Sequence, residues 1–207
     1  MRITRICGIA ACLVFSAASA SELDAIIENC AGCHGENGVS QSSDVPSIAG
    51  IPEFVQSDAL YFFRDNERPC EETKYTQGDT SRPATTMCAV VADLSDDQID
   101  ELAAHYAALK FVPAKQSFDA DLAAKGKALH ESDCARCHSD GGSNPDDEAS
   151  ILAGQQMGYL EEQFADYRTG KREQPKKMQE KIDALSVTKD DYPCCTHGQG
   201  PSSVVAC

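Results

Sequence analysis

Two pentapeptides carry the residues best suited to chemistry: Cys30-Ala31-Gly32-Cys33-His34 and Cys134-Ala135-Arg136-Cys137-His138. Cysteines at i and i+3 share one face of a helix, so both thiols can add to the two vinyl groups of one porphyrin. The histidine that follows then points at the metal as its proximal ligand. This pattern reads as c-type haem attachment. A zinc ribbon would place its two cysteine pairs about fifteen to twenty residues apart, whereas these stand 104 apart. A thioredoxin-like redox site needs a βαβ context, and a disulfide framework leaves the adjacent histidines unexplained. The reading is therefore two covalently bound haem c groups. Cys30 and Cys33 attach the first and Cys134 and Cys137 the second, with His34 and His138 as proximal iron ligands.

The motif recurs because the chain repeats itself. The offset of 104 also carries Ala49-Gly50 onto Ala153-Gly154, Arg64 onto Arg168 and Arg68 onto Arg172. Beyond Arg68 the offset becomes 91, pairing Met87 with Met178, Leu94 with Leu185 and Ser95 with Ser186. The first half thus holds a 13-residue excess between Arg68 and Met87. Apart from Met1 the methionines are Met87, Met157 and Met178. Met87 and Met178 occupy equivalent places, each ahead of a Leu-Ser pair, and are the predicted sixth ligands. Thioether ligation raises the haem potential and closes the iron to small molecules, as an electron carrier requires. Met157, with Glu53 at its equivalent position, reads as a packing residue. His105, His130 and His197 are weaker rivals. The four recurring arginines suit either haem propionates, which a guanidinium holds bidentately, or solvated helix ends. Cys70 and Cys88 flank the excess segment and are predicted to form a disulfide, worth about 3 kcal/mol by loop-closure entropy.

The elements that position these groups are helical. Amphipathic helices over 22–33 and 121–137 lead into the two motifs, and 53–66 and 157–169 supply a second helix to each half. A third spans 96–110, with Ser95 and Gln98 forming a capping box. Loops occupy 35–50 and 139–150, and no alternating strand pattern persists. The predicted organisation is a leader at 1–20, a first domain at 21–110, a linker at 111–118 and a second domain at 119–207. Within the last, 187–207 is an atypical tail. The repeat calls for a helix capped by Ser186, but Pro193 and the following glycines cannot sustain one, so Cys194, Cys195 and Cys207 receive no role.

Composition limits the function. Arg2 and Arg5, an apolar run from Ile6 to Phe15 and Ala18-Ser19-Ala20 read as an export signal, with an apolar run short of a membrane span. A periplasmic location is expected, with no membrane span. The sequence has 33 acidic against 18 basic residues, a net charge of −15, which disfavours nucleic acid and suits a carrier meeting cationic partners.

The paired motifs, the Ala-Gly followed by a helix ending in Arg168-Thr169-Gly170-Lys171-Arg172, and the late methionine resemble the dihaem class I cytochromes c. The resemblance implies an all-α fold of two tandem class I cytochrome c domains, each wrapped around one covalent haem. Pro113-Ala114-Lys115-Gln116-Ser117-Phe118 and Ile151-Leu152-Ala153-Gly154 look most like the cytochrome subunit of flavocytochrome c sulfide dehydrogenase. That implies an FAD-containing flavoprotein subunit as donor, a soluble cytochrome as electron acceptor, and no catalytic site on this chain. A free dihaem shuttle delivering electrons to a terminal oxidase or reductase shares the same motifs.

Overall fold

The computed structural model describes residues 17–185, together with two short backbone segments, Thr196–His197 and Val205–Ala206. Most of the leader, Ser186 as a helix cap, and Cys194, Cys195 and Cys207 lie outside the described residues. The first half contains α1 (Ala17–His34), α2 (Glu53–Arg64), α3 (Met87–Val91) and α4 (Asp96–Ala107). The second contains α5 (Ala120–Leu129), the single turn α6 (Ser139–Gly142), α7 (Met157–Thr169) and α8 (Lys176–Ala184). Between α4 and α5 the chain runs irregularly from 110 to 119. The two terminal segments pair antiparallel as β1 and β2, with Thr196 opposite Ala206. No helix among the described residues is long and apolar enough to cross a membrane.

The core of the first half follows from helical periodicity. Ile99, Leu102, Ala103 and Tyr106 recur at helical spacing on α4 and are all buried, forming one apolar stripe. Helices α1 and α2 pack against α4. The α4 N-terminus is fixed by the expected capping box, in which Ser95 Oγ accepts from Gln98 N–H while Gln98 Oε1 accepts from Ser95 N–H. Asp96 and Asp97 complement the dipole at that end.

The repeat is visible in backbone detail. The Gly38 carbonyl accepts from the N–H groups of Ile48 and Ala49 at 2.8 and 3.1 Å, and the Gly142 carbonyl accepts from Leu152 and Ala153 at 2.8 and 3.2 Å. Both glycines take positive φ, 71° and 76°, and a Cβ on either would meet the loop it closes at 2.9–3.0 Å. Glycine is required there on both counts. Arg64 donates to the Leu94 carbonyl at 3.1 Å and Arg168 to the Leu185 carbonyl at 3.2 Å. The outer arginine of each half therefore ties its second helix to the segment that follows, and Arg64 also pairs with Asp96 at 2.7 Å.

Two features depart from the sequence reading. The helix predicted to continue to 137 ends at Leu129 and passes through a π-helical turn, His130–Cys134. The widened turn is closed by Ala135 N–H donating to the His130 carbonyl, and it seats the His130 imidazole in the interior, where it is 2% exposed. Short pairings also appear where none was expected, at β1–β2 and between Thr73 and Thr85.

A buried amide network joins the halves. Gln155 reads both backbone groups of Ser47, accepting from its N–H and donating to its carbonyl, each at 2.8 Å. Gln156 donates to the Ser40 carbonyl at 2.8 Å, and Tyr159 N–H donates to the Ser43 carbonyl at 2.8 Å. Gln155→Ala would leave the Ser47 amide and carbonyl buried without partners. It is expected to lower unfolding stability by about 2–4 kcal/mol, read from denaturant midpoints, with the slope unchanged.

Candidate haem sites

The first motif lies on the last turn of α1, so Cys30 and Cys33 share one helical face as expected. None of the four motif cysteines forms a disulfide. Burial pushes the Cys30 thiol up to about 11 and raises Cys33 and Cys134 above the ordinary thiol value. His34 is buried, and its Nδ1 stands 2.9 Å from the Pro46 carbonyl. A carbonyl only accepts, so Nδ1 carries the proton and Nε2 presents a lone pair, the arrangement a metal-binding imidazole uses. Burial, opposed by this hydrogen bond, lowers the His34 pKa and favours the neutral ring.

The second motif has different support. Cys134 closes the π-helical turn, and His138 N–H donates to the Cys134 carbonyl at 3.0 Å. Position 150, equivalent to Pro46, is a serine, and the His138 Nδ1 is buried with no partner among the described residues. His130 Nε2 donates to the His138 carbonyl at 2.8 Å, so this histidine braces the motif from its own side. Burial, followed by the charge of His130, lowers the His138 pKa.

The two expected sixth ligands sit in equivalent elements but different registers. Met87 opens α3 behind the Thr86 cap, and Met178 lies two positions further into α8, after Lys176 and Lys177. Both are partly buried, and Met157 begins α7. His105 on α4 stacks edge-on to Tyr106.

The excess segment forms a strap across α1. The Cys70–Cys88 disulfide closes it, with Cα atoms 5.8 Å apart. The buried Tyr75 ring lies over Gly32, where even a Cβ would come within 2.6 Å. Thr76 and Gln77 donate backbone N–H groups to the Gly32 carbonyl. Arg82 stacks 3.6 Å from the Tyr75 ring centroid and donates to Asn29 Oδ1 at 2.6 Å. The strap explains a difference between the motifs: glycine stands at 32 beneath the ring, while the equivalent Arg136 is exposed. Nothing in the sequence marks Tyr75 for this role.

The structure also separates the four recurring arginines. Arg64 and Arg168 serve as helix ties, whereas Arg68 and Arg172 converge from the two halves on one side chain, Gln163. Its Oε1 accepts from Arg68 at 2.9 Å and from Arg172 at 2.5 Å. Arg68 also reaches the Tyr159 hydroxyl at 3.5 Å. Burial raises the Tyr159 pKa, but the charges of Arg68 and Arg172 outweigh it and leave the phenol below its ordinary value. The sequence repeat pointed to these arginines. Gln163 and Tyr159 escaped it because their role depends on the docking of the halves.

Cysteine pairs three residues apart and outside any disulfide, each followed by a histidine whose Nδ1 is turned into the interior, fit covalent haem. Among the described residues, no three or more His, Cys, Asp and Glu side chains gather as in a metal-ion site. The fold and its duplicated motif define an all-α, dihaem c-type cytochrome, an electron-transfer protein with two covalent haem c groups. Residues 23–110 match the Cytochrome c family. The chain is 26% identical over 182 residues to cytochrome c4 of Pseudomonas aeruginosa, covering 83% of each chain. It is 27% identical over 154 residues to a thiosulfate dehydrogenase electron acceptor of Thiomonas intermedia, covering 70% of this chain and 64% of that one. Its fold resembles reduced cytochrome c4 from Pseudomonas stutzeri, with a TM-score of 0.65 and 22% identity over 84% of this chain and 94% of that one. Two tandem class I cytochrome c domains describe the architecture.

Gly32→Arg, which copies the second motif into the first, is expected to displace the strap. Amide exchange at Thr76 and Gln77 should accelerate by roughly tenfold or more, since each tenfold corresponds to ~1.4 kcal/mol of lost local protection, while amides of α7 keep their rates.

Proposed function

We propose that this chain is a periplasmic electron relay that accepts electrons from a sulfur-oxidising dehydrogenase and passes them to a soluble cytochrome. Cys30 and Cys33 attach the first haem and Cys134 and Cys137 the second. His34 and Met87 ligate one iron, and His138 and Met178 the other. The haem supplies one-electron exchange between ferric and ferrous iron. Burial favours the neutral form of both motif imidazoles, and the Gln155–Ser47 junction fixes the two attachment motifs in one body. That junction is the observation that carries the reading, because two fixed one-electron sites suit a donor that releases electrons in pairs.

The resemblance in Pro113–Phe118 and Ile151–Gly154 supports an FAD-bearing sulfide dehydrogenase subunit as donor. The similarity to a thiosulfate dehydrogenase electron acceptor supports a second donor, a thiosulfate-oxidising enzyme. The terminal-oxidase shuttle shares every proposed ligand and differs only in partner. Anaerobic mixing of the oxidised protein with each purified dehydrogenase and its substrate separates these readings. Reduction of both haems by the sulfide–flavoprotein pair supports the first donor, and reduction only by the thiosulfate enzyme supports the second. Oxidation by an oxidase with no reduction by either dehydrogenase returns the shuttle.

The exported protein is expected to carry the mass of two porphyrins under denaturing conditions. Met87→Ala and Met178→Ala should each remove about half of the weak near-infrared band of Met-ligated ferric haem and lower the potential of the affected site. An unchanged band in either variant removes that methionine from the ligand set.

A further inference from the structure

The outer face of α2 carries aromatic rings that the fold leaves in water. Among the described residues Phe54 is 59% and Phe62 45% exposed. At 3.6 residues per turn, Phe54, Asp58, Tyr61, Phe62 and Asp65 fall within about 100° of the helix circumference. The opposite side of α2 packs on α3 and α4 and holds the buried Gln56. The Tyr61 hydroxyl donates to Asp100 Oδ1 at 3.3 Å, so the face continues onto the start of α4.

The repeat shows that the fold does not need these rings. The offset of 104 sets Gly158 against Phe54, Ala165 against Tyr61 and Asp166 against Phe62. The start of α7 is closed by the other half: Gly158 N–H donates to Ser43 Oγ at 3.2 Å, and a Cβ there would meet that oxygen at 2.7 Å. The start of α2 carries a phenylalanine instead and stays open. Rings that no core requires, grouped on one exposed face, mark a contact surface.

Charge indicates what it meets. Residues 53–65 and 96–107 hold seven Asp and Glu, and Arg64 is their only Lys or Arg. Arg64 is already paired with Asp65 and Asp96. A second copy of the chain would set these carboxylates against themselves in a two-fold contact, and an anionic membrane would be repelled. Three rings on a helix roughly 18 Å long suit a small, transient contact rather than a permanent subunit interface. We propose that this face of α2, centred on Phe54, Tyr61 and Phe62, docks the soluble acceptor cytochrome through an apolar contact rimmed by the acceptor's lysines or arginines. Those cations would meet Asp58, Asp65, Asp96 and Asp100. Helix α3, which opens with Met87, packs on α2, so the acceptor approaches the first half from its Met87 side. This deepens the relay reading above and rests on it. One electron leaves the ferrous iron of the first haem, which becomes ferric, and reduces one ferric iron of the acceptor.

The test is stopped-flow oxidation of the reduced exported holoprotein by two ferric probes, a lysine-rich basic cytochrome c and an acidic one, at several ionic strengths. Covalent haem is counted by denaturing mass in every sample. Phe54→Ser/Phe62→Ser is expected to slow the basic probe roughly tenfold. Asp58→Asn/Asp100→Asn should slow it about threefold at low salt and flatten its salt dependence. Glu28→Gln/Glu36→Gln, an equal charge change on exposed residues flanking the first attachment motif, should cost less than about twofold. The acidic probe should lose no rate in any variant. Native rates in both α2 variants, or a loss confined to the Glu28/Glu36 variant, overturn the proposal. So does equal slowing of both probes by the phenylalanine variant, which would report damage inside the domain. Native rates with the basic probe but slower reduction by the dehydrogenase give the face to the donor. A native dimer in sedimentation that Phe54→Ser/Phe62→Ser dissolves gives it to a second copy, and either result overturns the proposal. Should the phenylalanine variant fail to fold, the aspartate pair decides. A protein without its first haem defeats the relay reading, and the proposal with it.

Discussion

The structure depends on one buried amide. Gln155 satisfies both backbone groups of Ser47 from across the repeat boundary, in an interior where an unpaired amide or carbonyl is costly. A hydrophobic contact would let the halves slide. A side chain that accepts from one atom and donates to another fixes both translation and rotation. The Gln156–Ser40 and Tyr159–Ser43 bonds extend the same register along the start of α7. The meeting of Arg68 and Arg172 follows from it, since α7 carries Gln163 to the place where both arrive.

Within each half the equivalent constraint is the positive-φ glycine after the attachment motif. Gly38 and Gly142 turn the chain back so that one carbonyl takes two successive amides. The Pro46 carbonyl is thereby brought to His34 Nδ1 in the first half. In the second half the same turn carries no proline carbonyl to His138. The two motif histidines thus sit in one fold with different hydrogen bonding, and the basicity of an imidazole depends on that bond.

Local and repeated features were legible in the sequence. The capping box at Ser95, the start of α2, the extent of α7 and the Cys70–Cys88 pairing all stem from short-range rules or from the repeat offset, and the structure carries each of them. Features created by docking were not legible. The amide frame of Gln155 looks like any polar residue ahead of a helix. Four arginines recurring in pairs gave no sign that the outer two tie helices while the inner two meet. The π-helical turn at His130 was missed because its cause is the burial of one imidazole, and periodicity over 121–137 does not register that.

The strap over α1 makes the two attachment motifs non-interchangeable. With the Tyr75 ring 2.6 Å from where a Cβ at residue 32 would stand, an Arg136 copied into the first half has no room, while glycine copied into the second meets no steric objection. Exchange between the copies therefore costs something in one direction only, the seat of the strap on α1, and a single aromatic ring sets that asymmetry.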